Sequence, residues 1–382
     1  MPAKIIIIGQ ENLASTTGGT HTVFRHLCEL LSRKGYSVLA LCHSEDQAVP
    51  DWTQGKTNLR FVNSRLLYEG VKSFPVALNR LIGEECPELL IFFFPSQYRH
   101  AHLSREFAGI PRILMFHSRP DFYFARERRL KSRLGHYYVN THTQILMESF
   151  RKLLPPYILQ GPVSVIPNAV DIPETSARYD IEHKKAVYFS RIDPCKGVDL
   201  LIQAMESVAQ AYPDWSVDVY GDCDVPGYLE HLKGLIARKG LEKQVLLKGL
   251  SDKSAAQTLP GYDFCVFPSR FEGFGIGLAE AMACGLPCIG LANCSAVNEM
   301  IVQDRTGLLC EDTPEALSAA IRYLIEHPES RRRMGQEARE RVAVYSRETV
   351  DSQWLQLIEN ALHPQPDYPL APVRKLVQYY RF

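Results

Sequence analysis

At 382 residues the chain is long enough for two or three domains, each able to bury its own core. Lys plus Arg and Asp plus Glu are equal at 43, so the net charge is zero; this argues against a dedicated nucleic-acid binder, though not against a local basic patch. No apolar run approaches the ~18 residues that a membrane helix needs.

In chain order, MPAKIIIIGQ is too short for a signal-peptide core and has no small-residue cleavage site after it, so Ile5–Ile8 reads as a buried first strand. The ten cysteines then read as reduced thiols, and the expected compartment is cytoplasmic. Val23, Leu27, Leu30 and Leu31 recur at helical spacing, with Gly35 as the stop. Gly18 and Gly19 in the polar entry to that helix suit either an ordinary tight turn or a backbone that approaches an anion. Further elements are expected at Tyr36–Cys42 (strand), Val76–Glu85 (helix), Leu89–Phe94 (strand), Gln97–Gly109 (helix) and Arg112–Phe116 (strand). These strands lack a polar face, as in a parallel sheet covered on both sides, whose ligands gather at the strands' carboxyl ends. His117 stands at such an end, where a histidine is either structural or functional.

Arg119 to Tyr138 mixes Arg119, Arg126, Arg128, Arg129, Lys131 and Arg133 with Phe122, Tyr123, Phe124, Tyr137 and Tyr138. That composition suits an anionic membrane leaflet or a phosphorylated acceptor, and equally a solvated helix face. The last residues, 370–382, are again basic and aromatic. Past an exposed connection at 173–184, Ala186–Phe189 reads as a strand, with Arg191 and Lys196 in the loop that opens the next helix. An arginine can grip phosphate oxygens bidentately and a lysine adds a point charge; the alternative is a pair of surface cations.

The most informative stretch is Phe264 to Gly290, FCVFPSRFEGFGIGLAEAMACGLPCIG. It reads as strand, glycine loop, helix (Leu278–Cys284) and strand, a βαβ unit whose helix start can face an anion. Glu272 lies at the mouth of the loop and Glu280 is expected in the first helical turn. Either carboxylate can accept from a pair of vicinal hydroxyls, and Glu280 alone could simply complement the helix dipole. Cys284, Cys288 and Cys294 fit no common zinc spacing and read as small buried hydrophobes.

EGFGIGLAEAMACGLP resembles the Glu-(seven residues)-Glu signature of retaining glycosyltransferases of the family 4 type, which have the GT-B fold. The resemblance is strong over about 163–361 and moderate over 1–118. It implies two doubly wound, Rossmann-like α/β domains facing across a cleft. The first would be 1–164, joined by a C-terminal crossover helix at about 346–382, and would take the acceptor. The second, 165–345, would bind the nucleotide-sugar donor. The resemblance also implies roles. Glu272 would orient the donor sugar, and His117 would contact it near the anomeric centre. Arg191 and Lys196 would hold the diphosphate and carry rate, and Glu280 would hold the ribose. Gly18, Gly19, Gly221, Gly249, Phe274, Gly275, Ile276 and Gly277 would bring backbone to the nucleotide. No metal and no cofactor are expected beyond the donor, here a UDP-sugar.

The chain departs from the family pattern at Ala169, Ser190, Cys223 and Ser295–Ala296. A positive φ at Ala169 would be costly. The implied reaction is retaining transfer to a saccharide or lipid-linked acceptor in cell-surface polysaccharide or lipopolysaccharide synthesis, with peripheral membrane contact through 119–138 and 370–382. Two alternatives are a hydrolysing nucleotide-sugar 2-epimerase and a non-catalytic nucleotide-sugar-binding subunit.

Overall fold

The computed structural model describes residues 2–9, 19–43, 49–64, 73–96, 103–124, 141–156, 158–174 and 182–364. Gly18, residues 125–138 of the basic aromatic stretch, residues 175–181 of the connection and residues 370–382 lie outside them. The chain divides into two units, Met1–Pro167 with Val350–Phe382, and Asn168–Thr349.

In the first unit the elements run β1 (Lys4–Ile8), α1 (Gly19–Arg33), β2 (Ser37–Cys42), β3 (Leu59–Asn63), α2 (Phe74–Glu85), β4 (Leu89–Phe92), β5 (Arg112–Met115), α3 (Pro120–Phe124), β6 (Thr141–Ile145) and β7 (Val163–Val165). The strands form one sheet in the order β3-β2-β1-β4-β5-β6-β7, every pair parallel. Ile5 to Ile8 and Leu89 to Phe92 have no exposed surface, as strands buried on both faces require.

In the second unit, β8 (Lys185–Phe189), α4 (Val198–Ala211), β9 (Ser216–Tyr220), α5 (Tyr228–Lys239), β10 (Val245–Gly249), α6 (Ala255–Thr258), β11 (Phe264–Phe267), α7 (Ile276–Ala283), β12 (Cys288–Leu291), α8 (Ser295–Met300), β13 (Gly307–Cys310), α9 (Pro314–Glu326) and α10 (Pro328–Val342) follow. Their sheet runs β10-β9-β8-β11-β12-β13, again all parallel. Both sheets reverse direction of growth beside their first strand, between β1 and β4 and between β8 and β11. Such a switch point opens a crevice at the strands' carboxyl ends. These are two doubly wound, Rossmann-like units.

The last helix, α11 (Arg347–Leu362), begins in the second unit and lies mostly in the first, where it buries Val350, Trp354, Leu357, Ile358 and Ala361. His26 Nε2 lies 2.5 Å from Asp351 Oδ1, and the Tyr36 hydroxyl donates to Glu359. This helix therefore covers the α1–β2 side of the first unit.

Three expectations need correction. The helix expected at Gln97–Gly109 is, over its described part, a single 3-10 turn at Arg105–Phe107. Residues 97–102 of that expectation lie outside the described residues, and the Ser104 N–H donates to Asn79 Oδ1 at 2.7 Å. β3 and β6 were not anticipated. β6 is THTQI with Thr141, His142, Thr143 and Gln144 all buried, a polar sequence in a core position. Finally, α7 starts at Ile276 rather than Leu278, because Gly275 takes a left-handed φ of 89° as its N-cap. Glu280 is therefore in the second turn, away from the positive end of the helix.

Candidate functional site

The site is built where β8, β9 and β10 end. Ser190 N donates to Tyr220 O at 3.1 Å, Ile192 N to Asp222 O at 2.7 Å, and Gly221 N to Gly249 O at 2.9 Å. These bonds carry the sheet ladder one step beyond the strands and hold the three loops side by side. The fit is close: a Cβ on Gly221 would lie 1.9 Å from Ser190 O. Tyr188 donates its hydroxyl to Arg191 O at 2.5 Å, which fixes the turn that carries the arginine.

The start of α7 packs onto the same strand end. A Cβ on Gly277 would lie 2.0 Å from Phe189 O, so only glycine allows helix and strand to approach this closely. Between these parts is a cavity of about 200 Å³, lined by Phe189, Ser190, Arg191, Tyr220, Gly221, Asp222, Leu250, Ser251, Gly277 and Glu280. It lies beside the β8–β11 switch point, wholly in the second unit. Arg191, Gly221, Gly277 and Glu280 of the expected site meet here. Gly249 adjoins it through Leu250, while Phe274, Gly275 and Ile276 support α7 without lining it.

Burial, with the charge of Asp171 nearby, pushes the Glu280 carboxyl up to about 7. The alternative of an ordinary helix-terminal charge therefore fails, because the group is desolvated and off the helix end. Lys196 and Glu272 form a second pair: Nζ to Oε1 is 2.6 Å, and the residues are 7% and 6% exposed. Lys196 ends a 3-10 turn whose N-cap, Asp193, accepts from Cys195 N at 2.9 Å. The second ammonium contact is long, 3.5 Å to Phe271 O. Lys196 is thus a buried, carboxylate-paired cation rather than a free one. An ammonium has three donors, so this arrangement still leaves capacity for an anion.

Arg270, which sequence reasoning missed, ties this pair together. Its Nε donates to both oxygens of Asp312 (3.1 and 2.9 Å) and its Nη1 to Asp199 Oδ1 (3.1 Å) and Pro194 O (3.3 Å). Its backbone N donates to Cys195 O at 2.8 Å. One guanidinium thereby clamps the Lys196 turn to the Glu272 loop. Its acidic partners are distant in sequence, so no local pattern announced it. Tyr220, Asp222, Leu250 and Ser251 were missed for the same reason: they line the cavity only because the strand ends are adjacent.

The departures from the family pattern have local consequences. Ala169 does not take a left-handed φ, so the residue fits its backbone without strain. The Cys223 N–H is taken by Asp222 Oδ1 at 2.9 Å. Ser295 and Ala296 open the short α8, which has Cys294 as its N-cap. Cys284, Cys288 and Cys294 are buried free thiols, as expected.

His117 follows β5 in the first unit. Its ring lies 4.0 Å from that of Phe93, and both nitrogens are buried without a hydrogen-bond partner among the described residues. Burial drives its pKa down to about 3, so the ring is neutral. Gly19, the first residue of α1, is exposed.

Two parallel, doubly wound units with a cavity at the switch point define the GT-B class. A family model described as "Glycosyl transferases group 1" matches residues 171–341, and one described as "Glycosyltransferase Family 4" matches residues 17–174. Together they run through both units, and the chain belongs to the glycosyltransferases. An uncharacterized glycosyltransferase of Haemophilus influenzae is 25% identical over 347 residues, 89% of this chain and 96% of that one. The lipopolysaccharide core biosynthesis mannosyltransferase LpsB of Rhizobium meliloti is 28% identical over 44% of this chain, which spans about half (53%) of that relative's length. The crystal structure of Anabaena HepE in complex with UDP and glucose superposes with a TM-score of 0.74 at 17% identity, covering 94% of this chain and 100% of that one. Among the described residues no helix is long and apolar enough to cross a membrane.

Proposed function

We propose that the protein transfers a sugar from a UDP-sugar, with retention at the anomeric carbon and without a metal ion. The acceptor is a saccharide or lipid-linked saccharide of cell-surface polysaccharide or lipopolysaccharide synthesis. The observation that carries this reading is the meeting of Arg191, Gly277 and Glu280 at one cavity of the second unit. Glu280 accepts from the ribose hydroxyls, while Arg191 and the N–H groups at the start of α7 face the diphosphate. The UDP bound by HepE and the lipopolysaccharide role of LpsB support the choice of donor base and pathway class.

As the glycosidic bond breaks, charge grows on a phosphate oxygen. Arg191 and Lys196 stabilise it, and loss of one such preorganised partner costs about 2.7–4 kcal/mol in the barrier. Glu272, held by Lys196, orients the donor sugar, and neutral His117 serves near the anomeric centre as a hydrogen-bonding group. The departing phosphate itself accepts the acceptor's proton on the same face. The unit at 1–164 takes the acceptor. Phe122 there is 66% exposed beside Arg119, which suits a lipid-linked substrate at a membrane face.

The test is a calorimetric titration with UDP, GDP and ADP on the wild type and on Glu280→Ala and Arg191→Ala. UDP binding that both substitutions weaken is expected; no binding of any of the three overturns the reading. Turnover of UDP-sugars in EDTA and the anomeric configuration of the product, read by NMR, decide metal independence and retention.

A further inference from the structure

On β9, Val217 and Val219 face one side of the sheet, and Asp218 and Tyr220 face the other. Asp218 is 3% exposed in the middle of this strand. A carboxylate there is costly unless it is hydrogen-bonded. Its Oδ2 accepts from the Tyr262 hydroxyl at 2.8 Å, and its Oδ1 has no partner among the described residues. Tyr262, 7% exposed, precedes β11. Its hydroxyl also reaches the Tyr220 hydroxyl at 3.2 Å, and the two rings meet edge to face at 6.4 Å. Burial, with the contacts to Tyr220 and Asp218, raises the Tyr262 phenol well above its ordinary value, so it keeps its proton.

The chain of contacts ends at the cavity. Tyr220 lines it, as do Phe189, whose ring is 5.9 Å away, and Leu250, an apolar side chain 69% exposed. The order of the strands then places a ligand. Glu280 belongs to the helix after β11, while Tyr220 ends β9, two strands further along β10-β9-β8-β11. The start of that helix packs onto Phe189 of β8, the neighbour of β9, so Glu280 and Tyr220 line one cavity and a ligand held at one reaches the other.

We propose that Tyr262, anchored on Asp218, is a positioning residue that sets the Tyr220 ring as a wall of this cavity, and that Tyr220 contacts the base of the bound nucleoside diphosphate. The inference rests on the nucleotide reading of the cavity and deepens it. Asp218 and Tyr262 touch no ligand; they act through Tyr220. A wall held by a buried carboxylate costs less to order on binding than a ring free to turn.

The test is a calorimetric cycle on the full chain, titrated with whichever of UDP, GDP and ADP the wild type binds. Tyr262→Phe is expected to weaken binding by about threefold to tenfold, the range for one lost hydrogen bond. In a Tyr220→Leu background the same substitution is expected to change nothing. A merely structural loss would lower the unfolding temperature in both backgrounds without this non-additivity. Should Tyr262→Phe misfold because Asp218 is left alone, Asp218→Leu with Tyr262→Phe removes both ends of the pair and keeps the core apolar. Unchanged affinity in the Tyr262 variants, or an equal loss with and without Tyr220, overturns the proposal alone. Failure of the wild type to bind any of the three nucleotides overturns the nucleotide reading and this inference with it.

Discussion

Burial and the nearby charge of Asp171 lift the Glu280 carboxyl from an ordinary 4.5 to about 7. Between these values the folded protein holds a proton that the unfolded chain has released. The stabilising contribution is complete below about pH 4.5 and is lost as pH rises through about 7. Glu280→Gln is therefore expected to flatten the pH dependence of ligand-free stability, and to add up to about 3 kcal/mol near pH 8, as read by urea unfolding. Hydroxyls that donate to this carboxylate favour its ionised form. UDP affinity should accordingly rise with pH through about 7 in the wild type and lack that step in Glu280→Gln. Lys196 and Glu272 make the opposite case, a buried pair whose members satisfy each other. Lys196→Ala leaves Glu272 buried alone and should cost about 3–5 kcal/mol of stability, whereas Lys196→Met with Glu272→Leu should fold nearly as well as wild type. On the proposed role of Lys196 at the diphosphate, both variants should lose turnover by roughly a hundredfold or more. Wild-type turnover in either would remove Lys196 from the reaction.

The elements that place these residues depend on close backbone contacts. Gly277 sits against Phe189 O, and a methyl group there has nowhere to go. Gly277→Ala is expected to cost about 1–3 kcal/mol by overpacking. It should also weaken UDP binding, because α7 can yield only by moving away from β8. A variant that binds UDP normally would show that the α7–β8 contact does not shape the cavity. The apolar strands and amphipathic helices were legible because burial on both faces leaves a continuous apolar run. β6 was not, since its Thr, His and Gln side chains are buried, whereas period and hydropathy place such residues at the surface. The start of α7 was misread by two residues because the left-handed conformation of Gly275 is a property of the fold, and that shift moved Glu280 off the helix end.

At the scale of the molecule, α11 brings the end of the described chain back to its beginning. Trp354, 4% exposed, is its largest buried side chain, and Trp354→Ala should destabilise the first unit by about 3–5 kcal/mol. UDP affinity should be unchanged, because every residue lining the cavity belongs to Asn168–Thr349. Loss of UDP binding in the folded variant would contradict that division of labour. The sequence by itself determined the two α/β halves and the βαβ unit at Phe264–Gly290, and it singled out Arg191, Lys196, Glu272 and Glu280 as candidate site residues. It did so because repeating apolar strands and a fixed motif are local properties of the chain. Only the tertiary structure decided that Lys196 is neutralised by Glu272, that Arg270 clamps the two loops, that Glu280 is desolvated, and that Tyr220 is tied to Asp218 through Tyr262. Each of these depends on side chains brought together by parallel strands and their crossovers, so charge, burial and partner were set by neighbours that no stretch of sequence contains.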